Sequence, residues 1–155
     1  MSKIILIDTS YIFHRVTATE VWCKKSGNEY NHSSVFNNFN SSIQKLSKKL
    51  DVPVENMILC RDGKVENLWR TKLYPSYKKQ RSCSGYGPYI KELYKRIEKV
   101  FNISIRVNDA EGDDVIAILS YFYLNLNKSN HIYIISNDKD FYQLQKLLNT
   151  KRIHI

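Results

Sequence analysis

Cysteine, proline and glycine are scarce in these 155 residues, with three, three and five copies. Cys23, Cys60 and Cys83 are odd in number, far apart and contain no Cys-x-x-Cys pair. That excludes a disulfide framework, argues against zinc and suits a reducing, cytoplasmic compartment. Long apolar runs are also missing: none approaches the roughly 18 to 20 residues that cross a bilayer, so no membrane partner is expected. The opening "MSKIILID" is too short for a signal peptide and has no small-residue cleavage site, so it reads as a first strand. There is no internal repeat, low-complexity tract or linker. Acids are in the minority, 15 Asp and Glu against 24 Lys and Arg, for a net charge of +9.

What is present describes a folded chain: 43% hydrophobic and 25% charged residues are globular proportions. A length of 155 residues suits one domain with a sizeable core. The basic charge is concentrated. Arg61 to Lys99 holds 11 Lys or Arg against 4 Asp or Glu, interleaved with Trp69, Tyr74, Tyr77, Tyr86, Tyr89 and Tyr94. Cations among aromatics suit a polyanion whose bases can stack, although a solvated basic face would read the same way.

Strand-like and helix-like segments alternate. "KIILID" (3–8), "NMILC" (56–60), "ISIRV" (103–107) and "HIYIIS" (131–136) are short apolar or β-branched runs, and "RIHI" (152–155) begins a fifth. Val35, Phe36, Phe39, Ile43, Leu46 and Leu50 define one helix face, and Ile90, Leu93, Tyr94, Ile97 and Phe101 another. Val115 to Leu126 is apolar enough to pack on a sheet, and Asp140 to Leu148 gives a short last helix. Residues 16–32 are polar and patternless, which predicts a loop. Residues 61–89 are basic, aromatic and broken by Gly and Pro, which predicts a functional loop. The fold class expected is α/β, a mostly parallel central sheet flanked by helices, with a basic loop or arch over about 61–101.

Seven acids fall where such a fold places ligands, at the carboxyl ends of strands. Asp8 ends the first strand and Asp62 follows the second. Glu111, Asp113 and Asp114 follow the third, and Asp138 and Asp140 the fourth. Each one alone reads as a helix cap, since carboxylates complement a helix N-terminus. Together they repel: two carboxylates about 5 Å apart do so by roughly 3 kcal/mol at an effective dielectric near 20. Protonation or bound cations must offset that. Mg²⁺ or Mn²⁺ suits an all-oxygen donor set, and paired metals serve in-line phosphoryl displacement.

The stretches "ILIDTSYIFHR", "RDGKVENLWRTKLYPSYKKQR", "AEGDDVIAIL" and "IISNDKDFYQL" resemble, in order and character, those of the 5′-nuclease superfamily of flap endonucleases and 5′→3′ exonucleases, with its PIN-like catalytic domain. The family's Glu-Ala-Asp-Asp here reads Glu111-Gly112-Asp113-Asp114; "YKKQR" resembles its Tyr-Lys-x-x-Arg and "SNDKD" its Ser-x-Asp-x-Asp. The resemblance implies a Mg²⁺- or Mn²⁺-dependent nuclease acting at 5′ ends, flaps and branched junctions of DNA, with RNA primers as further substrates. It implies metal ligation by Asp8, Asp62, Glu111, Asp113, Asp114, Asp138 and Asp140. Lys78, Arg81 and Asp113 become the catalytic set, and Tyr77, Lys78, Arg81, Arg70 and Lys79 the substrate contacts.

The family's downstream aspartates and helical DNA-binding part have no counterpart within residues 1–155. The expectation is therefore a single N-terminal catalytic domain of bacterial or phage type, its second metal site incomplete, with the missing half on a second polypeptide or a longer chain. The segment from Arg81 to Glu111 is short for an arch that a strand threads. A stand-alone PIN-type ribonuclease and a catalytically silent DNA-binding subunit are the competing readings.

Overall fold

The computed structural model describes residues 2–25, 32–79, 87–97, 99, 101 and 103–155. Strands β1 (Ser2–Asp8), β2 (Met57–Arg61), β3 (Ser104–Arg106), β4 (Asn130–Ile135) and β5 (Ile153–His154) form one sheet. Its order is β3-β2-β1-β4-β5 and every neighbouring pair is parallel. The helices are α1 (Thr9–Lys25), α2 (His32–Leu50), α3 (Trp69–Leu73), α4 (Gly87–Ile97), α5 (Gly112–Leu126) and α6 (Tyr142–Leu147). Short 3-10 turns precede β2, α3 and α6. All five segments read as strands are strands, displaced by no more than a residue or two.

Period-two alternation assigns the layers. Ile5, Ile7, Met57 and Leu59 enter a core shared with Phe13 of α1, Phe39 and Ile43 of α2, and Leu93 and Ile97 of α4. Leu6, Ile58, Cys60, Ile132 and Ile134 enter the opposite core with Val115 and Ile116 of α5. Both faces are covered, as a parallel sheet requires. From β1 the chain builds outward to β2 and β3, then returns to lay β4 and β5 on the other side. The carboxyl ends of β1 and β4 thus flank the point where strand order reverses. Among the described residues no helix is long and apolar enough to cross a membrane.

Residues 16–25 correct the expectation of a loop over 16–32, because α1 runs through them to Lys25. Its inward face is Thr9, Ile12, Phe13, Val16 and Thr17, all buried. Two of those five positions are threonine, which hides the helical period in sequence. The Thr17 hydroxyl donates to the Phe13 carbonyl at 2.6 Å, so the core accepts it. The 61–89 stretch also holds more structure than a loop: the end of β2, a 3-10 turn at Val65–Asn67, α3, and the start of α4 at Gly87.

Candidate active site

Asp8 closes β1 and opens α1. Its Oδ1 accepts the Tyr11 N–H at 3.0 Å. Its Oδ2 accepts the hydroxyl of Ser136, just past β4, at 2.7 Å. That bond spans the β1/β4 crevice. Asp62 follows β2 and accepts the Ser10 hydroxyl and the Gly112 N–H, each at 2.7 Å. A Cβ at Gly112 would stand 3.2 Å from Asp62 Oδ1, a contact that a small shift relieves, so nothing in the structure explains glycine here in place of the family's alanine.

Glu111 caps α5 and is almost wholly buried, 2% exposed. A buried carboxylate needs partners, and it has three. Tyr77 donates its hydroxyl to Oε2 at 2.8 Å, Arg70 lies 3.0 Å from the same oxygen, and the Lys78 ammonium pairs with Oε1. Lys78 holds this position from the left-handed region, φ 59°, a conformation that costs a non-glycine residue on the order of 1 kcal/mol. Asp114 reaches back to accept the Glu111 N–H at 3.0 Å and takes a two-pronged bond from Arg70 at 2.6 and 2.9 Å. The Trp69 indole adds a bond to Asp114 at 3.3 Å, and the Arg70 guanidinium lies over the Trp69 ring. Asp138 accepts the Asp140 N–H at 2.9 Å as the cap of the turn before α6.

These acids perturb one another. Asp113 is pushed up to about 6, first by partial desolvation against the protein wall, then by Glu111, Asp62 and Asp8. It is nonetheless open to solvent on one side, so a cation can reach it. Asp8 is raised as well, by burial first and then by Asp62 and Asp138. Asp114 goes the other way: burial works to raise it, but the Arg70 hydrogen bonds and the Glu111 N–H together hold it below the ordinary carboxylate value. Asp113, Asp114, Asp138 and Asp140 line one cleft of about 270 Å³ with Arg70.

The seven predicted acids therefore follow the carboxyl ends of β1, β2 and β4 and the start of α5. They are neighbours rather than a preformed cage: among the described residues no three His, Cys, Asp or Glu converge as metal ligands. Most of their oxygens instead face hydroxyls, backbone N–H groups, Arg70 or Lys78. The donor set is all oxygen and mutually repelling, which fits a hard divalent cation. Of the predicted substrate contacts, Tyr77, Lys78 and Arg70 are at the site. Lys79 is exposed and makes no ion pair among the described residues, and Arg81 lies outside them. Ser10, Ser136 and Trp69 orient the acids; the sequence singled out Trp69 only as an aromatic of the basic segment, and the two serines not at all. Ser136 had a signal, as the first residue of "SNDKD", and Trp69 one as an aromatic among cations, whereas Ser10 had none beyond standing near Asp8.

A family model described as 5′-3′ exonuclease, N-terminal resolvase-like domain, matches residues 3–154. The chain belongs to this family. A 5′-3′ exonuclease of Mycoplasmopsis pulmonis (strain UAB CTIP) is 32% identical over 147 residues, covering 92% of this chain and 45% of that protein. The chain spans about half the length of the curated relatives it matches. Among solved structures, the bacteriophage T5 5′-exonuclease with bound zinc superposes with a TM-score of 0.67 at 19% identity, over 98% of this chain and 54% of that one. The T5 flap endonuclease in a pseudo-enzyme–product complex with DNA and metal ions gives 0.62 at 18%, over 98% and 53%. The fold of the T5 nuclease is thus the fold seen here, and both of these T5 structures were solved with metal ions.

Proposed function

We propose that this domain is a Mg²⁺- or Mn²⁺-dependent 5′→3′ exonuclease or flap endonuclease, hydrolysing phosphodiester bonds near 5′ ends, flaps and junctions of DNA. One observation carries the reading. Asp113, Asp114, Asp138 and Asp140 line one cleft of about 270 Å³ with Arg70, and Asp113, raised first by burial, also feels Glu111, Asp62 and Asp8. Asp8, Asp62, Glu111, Asp113, Asp114, Asp138 and Asp140 would hold the cation or cations. The chemistry such a cation supplies when bound is polarisation of the phosphate and a more acidic water. Lys78 offers the scissile phosphate a compact positive charge, Arg81 a planar fork, and Tyr77 a ring for the terminal base. Arg70 and Lys79 serve adjacent phosphates. The DNA complex of the T5 flap endonuclease supports DNA as the substrate class.

The other half of the relatives' length, in the same chain or on a second polypeptide, would extend the DNA contacts, and RNA primers would be cut by the same centre. A reducing cytoplasmic setting suits Cys60, a buried thiol pushed up to about 12 by burial and then by Asp8.

Asp113→Ala should lower Mg²⁺-dependent cleavage of a 5′-flap substrate by about 10² to 10³-fold or more while circular dichroism shows the fold retained. Undiminished cleavage by that variant sinks the assignment. Faster cutting of single-stranded RNA than of structured DNA would favour a PIN-type ribonuclease instead.

A further inference from the structure

The outward face of α5 is open and apolar. Ile118, Tyr121, Phe122 and Leu126 line it at helical spacing, and each is more than half exposed. On the other side of the helix Val115, Ile116, Ser120 and Leu124 are buried. A helix apolar on all sides belongs inside a structure, not at its surface. Leu147 of α6, also exposed, shares a cleft wall with Ala117 of α5 and widens the patch. We propose that this face docks a second copy of the chain, α5 against α5, antiparallel about a two-fold axis. Such pairing is independent of the nuclease reading.

The area suffices. Four side chains of this size, exposed to that extent, hold on the order of 500 Å² of apolar surface. The largest patch on a monomer is seldom above about 600 Å². Two such patches face to face bury about 1,000 Å², the size at which specific interfaces begin.

Charge selects the occupant. The chain is net +9, yet residues 115–127 carry no charge, so two copies can close on this face without setting cation against cation. Asn125 stands among the apolar residues and donates its amide to the Tyr121 carbonyl at 2.8 Å. Charge appears only at the two ends. At the first turn of α5, Asp113, Asp114 and Asp140 outnumber Arg70. Beyond the last turn stand Lys128 and Arg152, whose guanidinium donates to the Leu124 and Lys128 carbonyls at 3.3 and 3.1 Å. Antiparallel pairing brings the acidic end of each copy to the basic end of the other, and it opposes the two helix dipoles favourably. With the axis at Phe122, the rings meet at the centre. Ile118 of one copy then meets Leu126 of the other, since both stand four residues from the axis. A nucleic-acid strand would find rings on this face but no cation to hold its phosphates.

The test is sedimentation velocity of the whole chain in EDTA, from low micromolar to millimolar concentration. Wild type should pass from monomer to dimer with a Kd on the order of 10 µM. Ile118→Lys and Leu126→Glu lie at exposed positions, and each should weaken association by at least about tenfold. Mixed in equal amounts, the two variants should associate again, because the heterodimer opposes the new lysine to the new glutamate and keeps one Ile118–Leu126 contact. Circular dichroism checks that both variants fold. Wild type that stays monomeric throughout overturns the proposal, and so does a dimer that both single variants leave intact. Two weakened variants that do not recover on mixing overturn the antiparallel arrangement. A monomer that floats with neutral phosphatidylcholine vesicles, and no longer does so as Phe122→Asp, would give the face to a membrane instead.

Discussion

Gly63 and Gly112 look alike in sequence but bear different loads. A Cβ on Gly63 would stand 2.5, 2.7 and 2.8 Å from the carbonyl oxygens of Asn108, Val107 and Ala110. Those are backbone atoms of the turn that carries the chain into the Glu111 cap, and they cannot yield singly. Gly63→Ala should lower unfolding free energy in urea by about 2 to 3 kcal/mol. Gly112→Ala meets Asp62 Oδ1 at 3.2 Å and the Cys60 carbonyl oxygen at 3.4 Å, contacts that a few tenths of an ångström relieve. Alanine's better helix propensity partly offsets them, so the effect should stay within about 1 kcal/mol. A loss at Gly112 as large as at Gly63 would show that the Asp62 position cannot move. Asp113 sets a second test at this scale. Its folded-state value is raised to about 6 from an ordinary 3.8, so the protonated form is the one the fold favours. Its stabilising contribution is complete below about pH 4 and lost as pH rises through 6, and Asp8 acts in the same direction. Metal-free protein should therefore lose part of its thermal stability between about pH 4 and 6.5, and Asp113→Asn should flatten that slope. An identical slope in the variant would mean that other groups dominate. The acids were legible because capping alone cannot account for so many carboxylates following strands. The hydroxyls of Ser10 and Ser136 were not, since a serine beside an aspartate carries no sign of which way it points.

Elements were legible where one chemistry filled one face. The inward face of α2 is apolar throughout, and the period showed. The inward face of α1 includes Thr9 and Thr17, whose polarity masked it, and only the fold shows their burial. α3 is a different case: five residues, too short to be stable alone, and without a buried residue of its own. What fixes it is the pair it delivers, Trp69 and Arg70, to the first turn of α5. Arg70→Ala would leave Asp114 without its two-pronged partner and Glu111 with Tyr77 and Lys78 alone. Both carboxylates are largely removed from solvent, 20% and 3% exposed at the side chain. Stability should fall by about 2 to 3 kcal/mol, somewhat under the range for a fully buried pair because Arg70 is 28% exposed. The loss should shrink in Mn²⁺, because a divalent cation can take over the counterion role that the guanidinium leaves. A thermal melt of Arg70→Ala with and without Mn²⁺ measures this directly, and equal deficits in both conditions would contradict it.

At the scale of the whole molecule, the order β3-β2-β1-β4-β5 was beyond sequence reading. Alternating strands and helices predict a parallel sheet but do not say where the winding turns back. That reversal makes Asp8 and Ser136 neighbours although 128 positions separate them, and it gathers the acids of β1, β2, the α5 cap and the turn after β4 along one edge. The molecule is net basic, +9, yet it concentrates negative charge at the seam joining its two layers. Relieving that repulsion should stabilise the fold globally rather than locally. A ligand present at 100 times its Kd adds about 2.7 kcal/mol, and for a domain of this size each kcal/mol moves Tm by about 2 to 4 °C. Saturating Mg²⁺ or Mn²⁺ should therefore raise Tm by roughly 5 to 11 °C over a potassium control of matched ionic strength, and Asp113→Ala should abolish most of the rise. The control matters because screening also relaxes the repulsion, without any site. If potassium reproduces the full shift, or if Asp113→Ala retains it, the acids are not acting as a cation site and the seam is held by Arg70 and Lys78 alone.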